Sequence, residues 1–163
     1  MEHYSGVRPA RQGDEEALYN FLCLLHNENG LAPMNPDKVR FMISRATADN
    51  PSLFVGIIEG PDGIEASVGL GISEWWYSTD QHLEEVWTFV HPDHRKSTHA
   101  KHLYRFAKWS ADRLSMPLLV GILTRKELEP KMHLVQREMA QVGALFIHGP
   151  VPGDVFNQRH IGG

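Results

Sequence analysis

At 163 residues and 18.5 kDa the chain has room for one domain and little more. A composition 42% hydrophobic and 22% charged, with seven Phe, four Trp and four Tyr, is that of a packed globular protein and argues against disorder. A domain of this size buries roughly 70% of its unfolded surface and needs no disulfide or metal to hold it. The net charge of −4 argues against nucleic acid and anionic membrane as partners, while leaving room for a local basic pocket. The lone cysteine, Cys23, excludes an internal disulfide framework and a CxxC zinc knuckle, and it agrees with a reducing, cytoplasmic setting. The opening Met1-Glu2-His3-Tyr4-Ser5 is neither basic nor apolar, so no signal peptide is expected. No apolar run approaches the ~20 residues that span a bilayer.

Gly6–Ala10 reads as a first strand, which Pro9 confines to a sheet edge. Gly13 or Asp14 can cap a helix over Glu15–Asn27, where Ala17, Leu18, Phe21, Leu22 and Leu25 recur at helical spacing. Asn35 is an N-cap with Pro36 at the first helical position of a second helix through Thr47. Asn50-Pro51 ends it. Ser52–Glu59, Ile64–Trp76 and His82–His91 are three strands joined by tight turns, an antiparallel meander. Gly69 and Gly71 inside the middle strand predict a bulge or a close backbone approach.

After Pro92, the polar loop Asp93–Thr98 leads into a helix through Leu114, with Ala100, Leu103, Phe106, Ala107 and Leu114 as its apolar stripe. Leu118–Leu123 is a short buried strand, Arg125–Val142 a helix in which Pro130 marks a late start or a kink, Gly143 its C′ residue, and Ala144–His148 a last strand. The tail 149–163 reads as irregular. Strand, helix and strand over 82–123 require a right-handed parallel crossover. The expected class is therefore α/β (α+β), a mixed, mostly antiparallel central sheet flanked by helices in the order β-α-α-β-β-β-α-β-α-β. It forms one domain over 1–163 with its core at about 5–148.

The stretch that carries chemistry is Val90-His91-Pro92-Asp93-His94-Arg95-Lys96-Ser97-Thr98-His99-Ala100-Lys101. A strand stops at proline, a basic loop follows, and a helix begins at once. Its first-turn N–H groups have no intrahelical acceptor and carry partial positive charge, which suits an anion. Arg95, Lys96, Lys101 and Arg105 stand there against Asp93 alone. A polyanionic small molecule fits this better than a nucleic acid does, with a merely solvated helix start as the alternative.

Loop and element order together resemble the GCN5-related N-acetyltransferase (GNAT) superfamily, whose members bind acetyl-coenzyme A on a [Q/R]-x-x-G-x-[G/A] loop. Here it reads Arg95-Lys96-Ser97-Thr98-His99-Ala100, matched at its first and last positions and carrying Thr98 where the family has glycine. Val90-His91-Pro92-Asp93-His94-Arg95 is similar to the family's V-x-P-x-x-R. With Thr98 in place, the chain is closer to divergent members, phage-encoded ones among them. The resemblance implies that the pyrophosphate lies on the amides of Lys96, Ser97, Thr98, His99, Ala100 and Lys101, with Arg95 beside them. It also implies that Phe89 and Val90 hydrogen-bond the pantetheine arm as an added strand would, where the fourth and fifth strands splay.

An amine with a pKa near ~10.4 costs about 4.6 kcal/mol to hold neutral at pH 7, so acyl transfer to it benefits from a base. In the histone-modifying branch a glutamate stands six residues before the equivalent valine, which is Glu84 here. Glu85 is the alternative and faces the other side of the sheet unless a bulge shifts the phase. The tyrosine that many members use as general acid is replaced by Met139, so that acid is missing. Tyr104 is a candidate by residue type only, and it otherwise packs.

Cys23 reads as a buried apolar residue rather than an acyl acceptor, which leaves direct transfer in a ternary complex. His99 and His102 can share a helix face, but without an HExxH pair no metal is expected, and His94 or His99 instead donates to the coenzyme. Trp75, Trp76, Tyr77 and Trp87 are sheet packing, or else the wall of an acceptor pocket or of a dimer surface. Glu74, Glu84 and Glu85 would attract a cationic amine. The implied activity is acetyl transfer from acetyl-CoA to an unidentified primary amine. The alternatives are a catalytically silent acyl-CoA-binding protein and a metal-dependent hydrolase. Such folds often pair through edge strands, which leaves a homodimer open.

Overall fold

A computed structural model of the chain describes residues 6–48 and 53–150. The expected helix stop at Asn50-Pro51, the first residue of the second strand at Ser52, and the tail from 151 onward lie outside them. The elements are β1 (Arg8–Pro9), α1 (Glu15–Asn29), α2 (Pro36–Thr47), β2 (Leu53–Gly60), β3 (Gly63–Glu74), β4 (Gln81–Val90), a 3-10 turn (Pro92–His94), α3 (His99–Leu114), β5 (Leu118–Leu119) and α4 (Leu128–Gln136). The strands lie in the order β1-β2-β3-β4-β5 in a five-stranded sheet, antiparallel except for the β4–β5 pair. The mixed, mostly antiparallel α+β sheet expected from sequence is the one observed, including the parallel crossover through α3.

Local chemistry accounts for most boundaries. Asn35 Oδ1 accepts from the Lys38 N–H at 3.0 Å, and Pro36 begins α2, as its missing N–H allows. Asp14 sits at the N-cap position of α1 without capping it. Its carboxylate instead takes the Arg8 guanidinium at 2.7 and 3.0 Å and the Arg11 N–H at 2.9 Å, which fastens β1 to the helix. Ser115, in the left-handed region at φ 54°, closes α3.

The sheet carries a core on each face. Val7, Ile58, Ala66, Val68, Leu70 and Leu83 meet Leu103, Phe106, Ala107 and Ala111 of α3. On the other face Val55, Ile57 and Trp87 meet Leu18 and Leu22 of α1 and Ile43 and Ala46 of α2. Leu114 and Ala100 are only partly buried. The α3 stripe extends instead through Tyr104, Ser110 and Ala111.

The C-terminal elements depart from expectation. β5 is two residues long, not six, and α4 spans Leu128–Gln136, with Pro130 in its first turn where no N–H is needed. The strand expected at Ala144–His148 does not form, so among the described residues the order ends at α4. A strand needs an edge to pair with, and β5 is too short to offer one. Leu145 and Phe146 are left exposed, and Gly143 caps no helix.

Within the meander, the pairing of β3 with β4 runs Gly69↔Trp87 and then Leu70↔Glu85, so Val86 is an extra residue, a β-bulge. The Trp87 indole lies across Gly69, where a Cβ would fall 2.4 Å from the ring, and its Nε1–H donates to Ser67 Oγ at 3.2 Å. Gly69→Ala should therefore destabilise by about 1–3 kcal/mol, as overpacking does. Gly71→Ala, whose Cβ would meet only Val86 at 3.6 Å, should leave the urea midpoint near wild type. Equal midpoints for the two variants would refute this packing.

Candidate active site

Two features meet along β4. At its C-terminal end a series of hydrogen bonds shapes the loop. Asp93 N–H donates to His91 Nδ1 at 3.2 Å, His94 N–H to His91 O at 2.9 Å, and Ser97 N–H to His94 O at 3.0 Å. Ser97 Oγ accepts from the His99 N–H at 3.2 Å and so serves the first turn of α3. The Thr98 hydroxyl makes no cap and instead pairs with His102 Nε2 at 3.1 Å. The amides of Ala100 and Lys101 follow at the helix N-terminus, where no intrahelical acceptor exists. Lys96, Ser97, Thr98 and Lys101 are exposed, and His99 and Ala100 half-buried.

Arg95 is oriented differently from its loop neighbours. Its guanidinium turns toward the end of α1 and pairs with Glu28 at 2.7 Å, lying 5.7 Å from the Phe89 ring centre. The side chain is therefore engaged by a carboxylate rather than pointing freely from the loop. Around the same corner Asn29 Oδ1 accepts from Thr124 Oγ1 at 3.2 Å and from the Arg125 N–H at 3.1 Å, and Lys131 Nζ donates to Thr124 Oγ1 at 2.7 Å. Burial lowers the Lys131 pKa, against the pull of Glu28.

The second feature is a split in the sheet. β4 and β5 pair at Leu83↔Leu118 and Glu84↔Leu119, so from Glu85 to Val90 the β4 edge facing β5 has no strand beside it among the described residues. Phe89 is buried against Phe21 of α1, with ring centres 5.4 Å apart, and Val90 packs against the α3-side core. Their main chains pair with β3 on one side and face the split on the other.

Glu85 stands where the split opens. The Val86 bulge resets the side-chain phase, so Glu85 shares the α3 face with Thr88, while Trp87 goes to the α1–α2 face. The Glu85 carboxylate accepts from the Gly121 N–H at 3.2 Å. Burial pushes its pKa up to about 7, with the Thr88 hydroxyl and the Gly121 N–H pulling the other way. Tyr104, buried on α3, has its phenol pushed well above the usual range, first by burial and then by the Glu85 charge, with Thr88 opposing. The buried Thr88 hydroxyl makes no hydrogen bond of good geometry among the described residues, although it stands close to both. Glu84 is exposed on the opposite face.

The remaining candidates sit elsewhere. Trp87 is core. Trp75 stacks on Tyr77 at 6.1 Å and on His82 at 4.3 Å, and Trp76 stands 94% exposed in the β3–β4 turn. A depression of about 510 Å³ between Trp75, Asp80 and Gln81 and the end of α3 lies at the opposite end of β4 from the loop. Met139 follows α4 rather than lying within it. Cys23 is half-buried. Sequence reading missed Thr88, Glu28 and Glu65. Only a bulge mark on β4 could have singled out Glu85 over Glu84, and the glycine signal lay on the partner strand.

No family model matches the sequence, and no curated protein matches it. Many solved structures match in fold. A possible acetyltransferase from Clostridium difficile 630 superposes with a TM-score of 0.67 at 14% identity, covering 90% of this chain and 97% of that one. A GNAT family acetyltransferase from Staphylococcus aureus gives a TM-score of 0.62 at 16% identity, covering 88% and 97%. An aminoglycoside acetyltransferase from an uncultured soil metagenomic sample, solved with sisomicin, gives 0.66 at 8% identity, covering 90% and 95%. The chain has the GNAT fold.

The Glu85 environment carries a stability signature. A carboxyl raised from about 4.5 to about 7 on folding keeps its proton in the folded chain while the unfolded chain has lost it. Stability from this group therefore falls as pH rises from about 4.5 to 7 and is level above that. Glu85→Gln should gain thermal stability over wild type progressively across that window and by a constant margin at higher pH. A pH-independent difference in Tm would contradict the burial argument.

Proposed function

We propose that the chain is a single-domain N-acetyltransferase of the GNAT type that moves acetyl from acetyl-CoA to a primary amine by direct attack in a ternary complex. The observation that carries this reading is Glu85, a carboxyl poised near 7 at the mouth of the sheet split, on the same strand as an amide-rich basic loop. Glu85 pairs with Leu70 and Val90 with Ala66, four steps along β3, about 13 Å at strand rise. An extended pantetheine arm laid along the open β4 edge would run between the two.

In this reading the diphosphate rests on the amides from Lys96 to Lys101, with Lys96 and Lys101 supplying charge. Arg95, held by Glu28, acts chiefly as a brace for the loop. The arm hydrogen-bonds the main chain of Phe89 and Val90. Glu85 takes a proton from the acceptor ammonium, directly or through water, and the freed amine attacks the thioester carbonyl; the C–S bond then breaks, coenzyme A leaves unaided as its thiolate, and the new amide nitrogen gives its second proton to solvent. A base near 7 is well matched to neutral pH. Tyr104 keeps its phenol proton and positions Glu85 rather than supplying a proton to the departing thiolate. The preferred base thus moves from Glu84 to Glu85, because the bulge turns Glu85 into the split and leaves Glu84 in solvent. The lack of a hydroxyl at Met139 favours a second reading, a silent acyl-CoA-binding protein.

Acetyl-CoA at ~100 times its dissociation constant should stabilise the chain by about 2.7 kcal/mol. The Lys96→Glu/Lys101→Glu pair should lose that shift. These lysines are the better probe, because reversing Arg95 would set a second carboxylate against Glu28. Thiol release should then be followed over an amine panel that includes aminoglycosides. Glu85→Gln is expected to lower the rate about 10²–10⁴-fold and abolish the rise with pH through 7, with Glu84→Gln near wild type. Binding without turnover on any amine would establish the silent reading. Absence of an acetyl-CoA shift would refute both.

A further inference from the structure

We propose that Glu65, His94 and His99 form a binding site for a divalent transition metal, zinc foremost, that fastens the β4–α3 loop to β3. The three come from separate pieces of the fold. Glu65 is the extra residue of a second bulge, where β2 pairs Ile58 with Ala66 and then Glu59 with Ile64. His94 ends the 3-10 turn, and His99 opens α3. A bulge re-aims a side chain, and here it aims a carboxylate at the loop. The Glu65 main-chain carbonyl already holds the loop by accepting from the His91 N–H at 2.8 Å.

The convergence is on one atom. Glu65 Oε2 lies 2.7 Å from His99 Nε2 and 3.5 Å from His94 Nδ1, and the ligand atoms of all three residues fall within 4.8 Å of one another. Bonds of about 2.0–2.1 Å in a tetrahedron place neighbouring ligand atoms about 3.3 Å apart, so small rotations would seat an ion. The His99 contact is a hydrogen bond, and His94 stands at ion-pair distance, longer than a good hydrogen bond, with its Nδ1 turned to the same carboxylate oxygen. Two imidazoles and a carboxylate suit zinc, with one position left for solvent, and suit magnesium poorly. The Glu65 and His99 side chains are only 18% and 19% exposed, so the site is partly shielded from water. Sequence reading expected no metal because it looked for a helical pair. His102, the supposed partner of His99, binds Thr98 instead.

This inference does not rest on the acetyltransferase reading, and its test uses no coenzyme. Untagged, chelator-treated full-length protein is titrated with Zn²⁺ by calorimetry, with Mg²⁺ as control, and Co²⁺ absorption reports coordination. One saturable Zn²⁺ site per chain is expected, weakened at least tenfold in Glu65→Gln, His94→Ala and His99→Ala and unchanged in His133→Ala on exposed α4. Zn²⁺ should also raise the Tm of wild type but not of the conservative Glu65→Gln, which answers a folding defect in either alanine variant. No saturable site in wild type, or equal affinity in the three ligand variants, would overturn the proposal.

Discussion

The arrangement of this chain turns on one extra residue in β4. Were Val86 an ordinary strand residue, strict alternation would send Glu85 and Trp87 to the same face. The bulge separates them. Trp87 enters the α1–α2 core flat against Gly69, with Ser67 receiving its N–H, and Glu85 points to α3 at the point where β5 leaves. The same local twist that fills one core therefore places a carboxyl in the split. The indole requires a residue without a Cβ opposite it, so the position of Glu85 is coupled to the backbone at Gly69.

The electrostatics of the two ends of β4 differ in kind. At the loop, charge is mostly exposed and acts through fixed main-chain donors, which are only weakly sensitive to pH. At Glu85 desolvation decides the charge state. Burial favours the neutral carboxyl, and the Gly121 N–H, with the Thr88 hydroxyl nearby, pulls the other way. α3 connects the ends, because it offers its N-terminus to the loop and Tyr104 to Glu85. A helix that packs on the sheet through Leu103, Phe106 and Ala107 holds both in register.

Arg95 shows why charge counted along a loop overstates what is free to bind. Its guanidinium is matched by Glu28, which is far away in sequence and nearly buried. The ion pair ties the loop to α1, much as Asp14 ties α1 to β1 through Arg8.

By itself the sequence determined the meander, the first three helices, the caps at Asn35 and Pro36, and the loop between Val90 and His99, because these depend on neighbours a few residues apart. It also flagged Gly69 as a place of close approach. Tertiary structure alone decided which glutamate enters the split, because a bulge is a mismatch between two strands and leaves no mark on the strand that carries it. It decided, too, that Arg95 is engaged, that Glu65 meets His94 and His99, and that Ala144–His148 forms no strand. Each of these requires knowing which distant backbone edge or side chain lies alongside, and local periodicity carries no information about that.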